Sequence, residues 1–292
     1  MQKLKNISIL KYGLVIVLIC FIINIFVYMQ FSVDEAVFLK HYYDIEIYDD
    51  TFMHINYITN SSDNREIKEI KFPQMPDNFA QVRIDFLRNS FNNGYYRTKK
   101  FAHYNYNIFS LIISAVNSNE NDIAEESVIL DKAIIIYYNG DEQEVNIGKI
   151  ILRKNNNRTE SLTSTFVQSS SDNKATSVFI SNDNFVITGI NSGLDGEIKD
   201  IFKLLLNGKD TMQLNYPINV TSDDSLTFDS QFKFDLHDVR RYNAYEIQKK
   251  ISLIDSEGNH ENMRILNLDY YPEDLFDKEN DIIKYLKEIG VK

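Results

Sequence analysis

Apolar residues run without interruption only once in this chain. Residues 12–31 read YGLVIVLICFIINIFVYMQF. Twenty helical residues at 1.5 Å rise cover about 30 Å, the hydrocarbon thickness of a bilayer. Lys3, Lys5 and Lys11 precede the run, and Asp34 and Glu35 follow it. The positive-inside rule therefore places the N-terminus in the cytoplasm and the large remainder outside the plasma membrane, as a single-pass protein. Tyr12 and Tyr28 take the interfacial aromatic positions. The run is longer than the apolar core of a signal peptide and no A-x-A pair follows it, which favours a retained signal-anchor over a cleaved leader.

Val33, Ala36, Val37 and Lys40 then recur at helical spacing and predict that the membrane helix continues to Lys40. Beyond it the period changes to two. Residues 41–48 set Tyr43, Ile45 and Ile47 on one face against Asp44 and Glu46. Asp49-Asp50 supplies a turn, and residues 51–58 return as the second arm of a hairpin. Further strands are expected at 66–72, 81–87, 101–116, 128–138 and 144–152, with Asn139-Gly140-Asp141 as hairpin-turn chemistry. No long 3.6-residue periodicity separates them, so the sheets are expected to be antiparallel rather than built from βαβ units.

A polar stretch with Asn155-Asn156-Asn157 at its centre marks the expected boundary between a first domain, 32–154, and a second, 155–292. The second domain continues in strands at 161–168, 175–181 and 185–190. A hairpin of 198–206 with 212–220 across Asn207-Gly208 follows, then a strand at 226–236. Another hairpin joins 245–254 to 263–270. After Pro272, Ile282, Tyr285, Leu286 and Ile289 fall at helical spacing, with Asp277 as N-cap and Gly290 as stop. The chain is thus expected to be mainly β: a transmembrane helix, two packed antiparallel β-sandwich domains of immunoglobulin-like kind, and a short C-terminal helix.

Charge narrows the partners. The chain of 292 residues carries −11, and beyond residue 33 it holds 28 basic against 42 acidic residues, or −14. An acidic body repels phosphates, which makes nucleic acid and anionic headgroups poor candidates for its principal ligand. The single cysteine, Cys20, lies in the apolar run. The outer body therefore forms no internal disulfide and has no cysteine nucleophile. With only 4 Pro and 10 Gly there is no flexible linker, and the richness in Asn, Ile, Lys, Asp and Tyr suits a bacterial cell envelope.

Chemical signatures are scarce. There is no G-x-S-x-G elbow, no H-E-x-x-H, and Gly208-Lys209 lacks the rest of a P-loop. Gly193 and Gly196 do not complete a dinucleotide fingerprint. His41 and His54 with Glu46, Asp49 and Asp50 between them form a loose metal arrangement whose spacing has no specificity. Acids at 122–126, 195–197 and Asp223-Asp224 suit calcium by type, but turn chemistry explains them first. Arg97-Thr98-Lys99-Lys100, Arg240-Arg241 and Lys249-Lys250 are basic islands beside Tyr95, Tyr96 and Tyr242, a composition common at interfaces. Asn24 is the one strongly polar residue within the span and the candidate contact to a partner helix.

No catalytic residue, metal ligand or cofactor is assigned. The expected function is that of a noncatalytic, membrane-anchored extracytoplasmic binding, scaffolding or regulatory protein with an envelope or membrane protein as partner. The alternative is a membrane-bound hydrolase of envelope polysaccharide that uses paired carboxylates, one with a raised pKa.

Overall fold

A computed structural model describes residues 2–48, 50–85, 98–116, 127–154, 161–170 and 172–292. Helix α1 (Gln2–Phe31) contains the segment Lys11–Phe31, long and apolar enough to cross a membrane, with none of it buried in the rest of the protein.

The helix stops at Phe31 and does not run on to Lys40. Asn60 takes over the backbone of Val33: its Oδ1 accepts from Val33 N at 2.8 Å and its Nδ2 donates to Val33 O at 2.6 Å. Val33, Ala36, Phe38 and Leu39 are then buried against the β body. Tertiary burial and a side chain imitating a strand neighbour outweigh the helical spacing.

The described strands form three sheets. The first has the order β1 (Val37–Phe38), β3 (Thr51–Asn60), β7 (Tyr104–Ala115), β5 (Ala80–Ile84), with β6 (Thr98–Lys100) also along β7. The second and largest runs β15 (Ile218–Val220), β12 (Phe185–Asn191), β17 (Ala244–Asp255), β2 (His41–Ile47), β9 (Glu142–Lys154), β8 (Ser127–Tyr137), β4 (Ile67–Lys71), with β18 (His260–Tyr270) on β17. The third runs β10 (Leu162–Ser170), β11 (Lys174–Ser181), β16 (Ser225–Phe232), β13 (Phe202–Leu206), β14 (Lys209–Asp210).

The large sheet is buried on opposite faces at its two ends. Ile150 and Leu152 of β9 enter a core shared with Met53, Ile55 and Leu111 of the first sheet. Ile151, between them, enters a second core with Phe179, Phe228 and Leu253. Period-2 alternation makes this possible: neighbours on a strand point to opposite faces, and with apolar residues at 150, 151 and 152 one sheet serves two sandwiches.

The expected hairpin of β2 with β3 does not form. β3 pairs with β1 and β7, while β2 pairs in parallel with β9 (His41↔Gly148) and β17 (Ala244↔His41). The two strands instead face each other across the first core, where the Tyr43 hydroxyl donates to His54 O at 2.9 Å. Asn207-Gly208 does turn the chain, but only Lys209–Asp210 returns along β13, and Ile218–Val220 joins β12 in the large sheet. The β8/β9 and β17/β18 hairpins form as the alternation predicts.

A short helix α2 (Asp195–Ile198) precedes β13, and helix α3 (Glu279–Glu288) follows β18. Helix α3 lays Ile282, Tyr285 and Leu286 on the outer face of the first sheet, against Ile58, Tyr104 and Tyr106. At about 1.5–3 kcal/mol per buried apolar side chain, this stripe fixes the helix in place. Its N-cap is Lys278, whose N–H donates to Asp281 Oδ2 at 3.0 Å, and not Asp277, whose carboxylate is engaged by Lys99 Nζ at 3.0 Å. Gly290 closes the helix with φ +74°, while Ile289 is left outside the buried stripe.

Candidate functional site

The charged motifs are absorbed in large part by one another. β17 forks: its first residues pair with β2 and its later ones with β12. At the fork the Gln248 side chain accepts from Glu46 N at 3.3 Å, and Lys250 pairs with Glu46 at 2.8 Å. Lys249 pairs with Asp195, and Lys149 reaches both Glu197 (2.8 Å) and Gly193 O (3.1 Å). Asp44, buried, accepts from Arg153 Nε at 2.7 Å and from Gly193 N at 2.7 Å. The acids at 195–197 and the Lys249-Lys250 island therefore hold the seam between the two cores.

The other motifs resolve locally. Asp224 accepts from Thr221 N and Oγ1, both at 2.8 Å, and these bonds lower its carboxyl pKa. Arg240 forks onto Asp238, and Arg241 lies over the Tyr242 ring. His41 is fully buried; its Nε2 accepts from Asn56 N at 2.8 Å, while Nδ1 lies 3.3 Å from Ile147 O. His54 Nδ1 bonds Ser110 at 2.9 Å. Glu46 and Asp50 bond elsewhere, so the loose histidine–acid arrangement is not assembled. Among the described residues, no group of three or more His, Cys, Asp or Glu is placed to hold a metal ion. Asp49, Tyr95, Tyr96, Arg97 and the acids at 122–126 lie outside the described residues.

Asn24 donates from Nδ2 to Cys20 O at 2.8 Å, four residues back on its own helix.

Two features are not absorbed. The first is a carboxylate pair. Glu246 on β17 stands directly opposite Asp269 on β18, and side chains so paired share a sheet face. Burial pushes the Glu246 carboxyl up to about 8; the Asp269 charge adds to the shift and Arg264 opposes it. Burial holds the Tyr43 and Tyr271 phenols well above their usual range, and the charges of Glu246 and Asp269 add to the shift of both.

The second is β10. Among the described residues it pairs with β11 alone and forms one edge of its sheet. After Leu162 every residue of this nine-residue strand is exposed, Phe166 at 48% and Val167 at 66%. The strand reads LTSTFVQSS, with no charge and no proline, although natural edges are usually guarded by one or the other. Among the described residues a bulge at Thr165 is the one guard present, and it leaves 166–170 in regular register. The alternation pattern showed a strand here. The missing apolar face and missing charges suit an unprotected edge, but the pairing with β11 alone is what makes it one.

No protein-family model matches the chain, and no curated protein does. Among solved structures, the YadV chaperone aligns over 79% of this chain and 99% of its own, at 9% identity and TM-score 0.18. The fibronectin(III)-like modules of Clostridium thermocellum CbhA align over 82% and 93%, at 11% identity and TM-score 0.15. BcpA, the major pilin subunit of Bacillus cereus, aligns over 80% and 65%, at 11% identity and TM-score 0.16. Likenesses at this level carry no argument about function, and the β-sandwich character of the chain stands on its own sheet pairings and its two cores.

Proposed function

We propose that this chain is a membrane-tethered β-sandwich protein that binds or scaffolds another protein in a bacterial envelope and performs no catalysis. The observation that carries the reading is the exposed, uncharged edge of β10, a ready template for strand addition by a partner. The apolar Lys11–Phe31 helix, with its basic residues before and acidic residues after, supports a plasma-membrane anchor and an extracytoplasmic body. Asn24 belongs to the same proposal as a contact to a partner helix: the bond to Cys20 O employs one amide hydrogen, and the amide still has a hydrogen and an acceptor to offer.

The test is crosslinking of the tagged protein in its native membrane followed by mass spectrometry, with an Asn24→Leu variant alongside. One dominant protein partner supports the reading, and its loss in the variant places the contact in the bilayer. Recovery of nothing above background refutes it.

A second reading rests on the facing carboxylates. Glu246, its carboxyl pushed up by burial and by the Asp269 charge, stands opposite Asp269, and a carboxyl held up beside a second carboxylate is what a polysaccharide hydrolase would use as proton donor and base. Release of reducing ends from envelope polysaccharide by the purified protein, abolished by Glu246→Gln, would establish it over the first.

A further inference from the structure

We infer that the partner along β10 is a second copy of this chain, the two β10 strands pairing antiparallel about a two-fold axis. This rests on the binding reading above and names its partner.

Charge is the first argument. The chain carries −11, so a two-fold contact over most of its surface brings acids against the equivalent acids of the copy. β10 is a place where that repulsion vanishes. In the antiparallel register that sets Phe166 against Val167 of the copy, residues 163–170 oppose only Ser, Thr, Gln, Phe and Val. Neutral hydroxyl pairs and aromatic or β-branched pairs all contribute favourably across strands.

Access is the second argument. The side chains of β10 beyond Leu162 are exposed on both faces, which leaves room for a second strand alongside. The backbone N–H and C=O groups of the regular stretch 166–170 then find partners, and Phe166 and Val167 lose solvent exposure. A single strand pair buries less than the roughly 1,200 Å² of a stable interface, so the contact is weak in dilute solution. An anchor confining both copies to one membrane supplies the effective concentration that makes it form.

The experiment uses the full chain in its native membrane in a Cys20→Ser background. Single cysteines are placed one at a time at positions 164–169, with Glu257→Cys on the exposed β17/β18 turn as control, and mild oxidation follows. The expected result is disulfide-linked dimer concentrated at the one or two adjacent β10 positions nearest the two-fold axis, several-fold above the control. Val167→Lys, at a side chain two-thirds exposed and remote from the core, is expected to abolish it. Dimer spread evenly over all positions at the control level overturns the inference. Crosslinks from β10 to a different protein with no self-dimer also overturn it while leaving the binding reading intact. Absence of any adduct along β10 overturns the inference and removes the observation that carries the binding reading.

Discussion

Gly148 sits in β9 directly beside His41 of β2, with φ +105°. A Cβ at this position would lie 2.3 Å from His41 O, 2.7 Å from His41 N and 3.0 Å from His41 C. These are backbone atoms of the neighbouring strand, so no rotamer change relieves them. Gly148→Ala must therefore bear two costs. Forcing alanine into this conformation costs about 1–3 kcal/mol. Parting β2 from β9, or overpacking the seam, adds about 1–3 kcal/mol more. The sum is about 2–6 kcal/mol. Gly140, at φ +91° in the β8/β9 turn with nothing within 4 Å, isolates the first cost. Gly140→Ala is expected to lose only about 1–2 kcal/mol. Urea titration of the full chain in detergent, followed by far-ultraviolet circular dichroism, measures both. If Gly148→Ala costs no more than Gly140→Ala, β9 does not approach β2 as described and the parallel seam is wrong.

Further outcomes follow from the same geometry. At Gly193 a Cβ would meet Ile151 Cδ1 at 2.3 Å and Arg153 Nη2 at 2.6 Å, and neither is free to move, since Ile151 is buried and Arg153 is bonded to Asp44. Gly193→Ala should cost about 1–3 kcal/mol, whereas Gly196→Ala, three residues on with open space, should be neutral or slightly stabilising in the same titration. The Glu246 carboxyl is raised from 4.5 to about 8 in the folded protein, so the fold binds its proton more tightly than the unfolded chain does. Stability should fall as pH rises from 4.5 towards 8, by at most about 1.4 kcal/mol per pH unit. Glu246→Gln should remove that slope, and a pH-independent difference between the two proteins refutes it. His41 is lowered from 6.5 to about 3 by burial, so its contribution is complete above pH 6.5 and is lost as pH falls towards 3. Its imidazole resonances should not titrate between pH 7 and 4; a midpoint near 6.5 would show that the ring is solvated. Tyr285→Ala should cost about 3–5 kcal/mol by emptying the aromatic cluster with Tyr242 and Phe276. Limited proteolysis should then cut within α3 first.

The sequence by itself determined much of the local structure, though not residues 33–40, where burial and the Asn60 side chain override the helical spacing. An unbroken apolar run can only be a helix or a buried strand, and at twenty residues it is long enough to span a bilayer. Alternation set the strands, the turn chemistry of Asn139-Gly140 and Asn207-Gly208 set two reversals, and the 3.6-residue spacing of Ile282, Tyr285 and Leu286 set the last helix. Tertiary structure alone decided which strands pair. Alternation says which side chains share a face of one strand and nothing about its neighbour, so β2 and β3 looked like a hairpin although β2 lies between β9 and β17, far away in sequence. Charge partners were hidden for the same reason, as with Lys249 and Asp195. The carboxylate pair was beyond reach even within a hairpin. At the turn end Ile254 opposes His260, and that register would set Glu246 against Leu268; a bulge between Lys249 and Lys250 shifts it by one and brings Asp269 opposite instead. β10 read as a strand, but whether a strand is central or an edge depends on what lies beside it. Burial across the whole chain decides that, because the pleat repeats every two residues whether or not a neighbour is present.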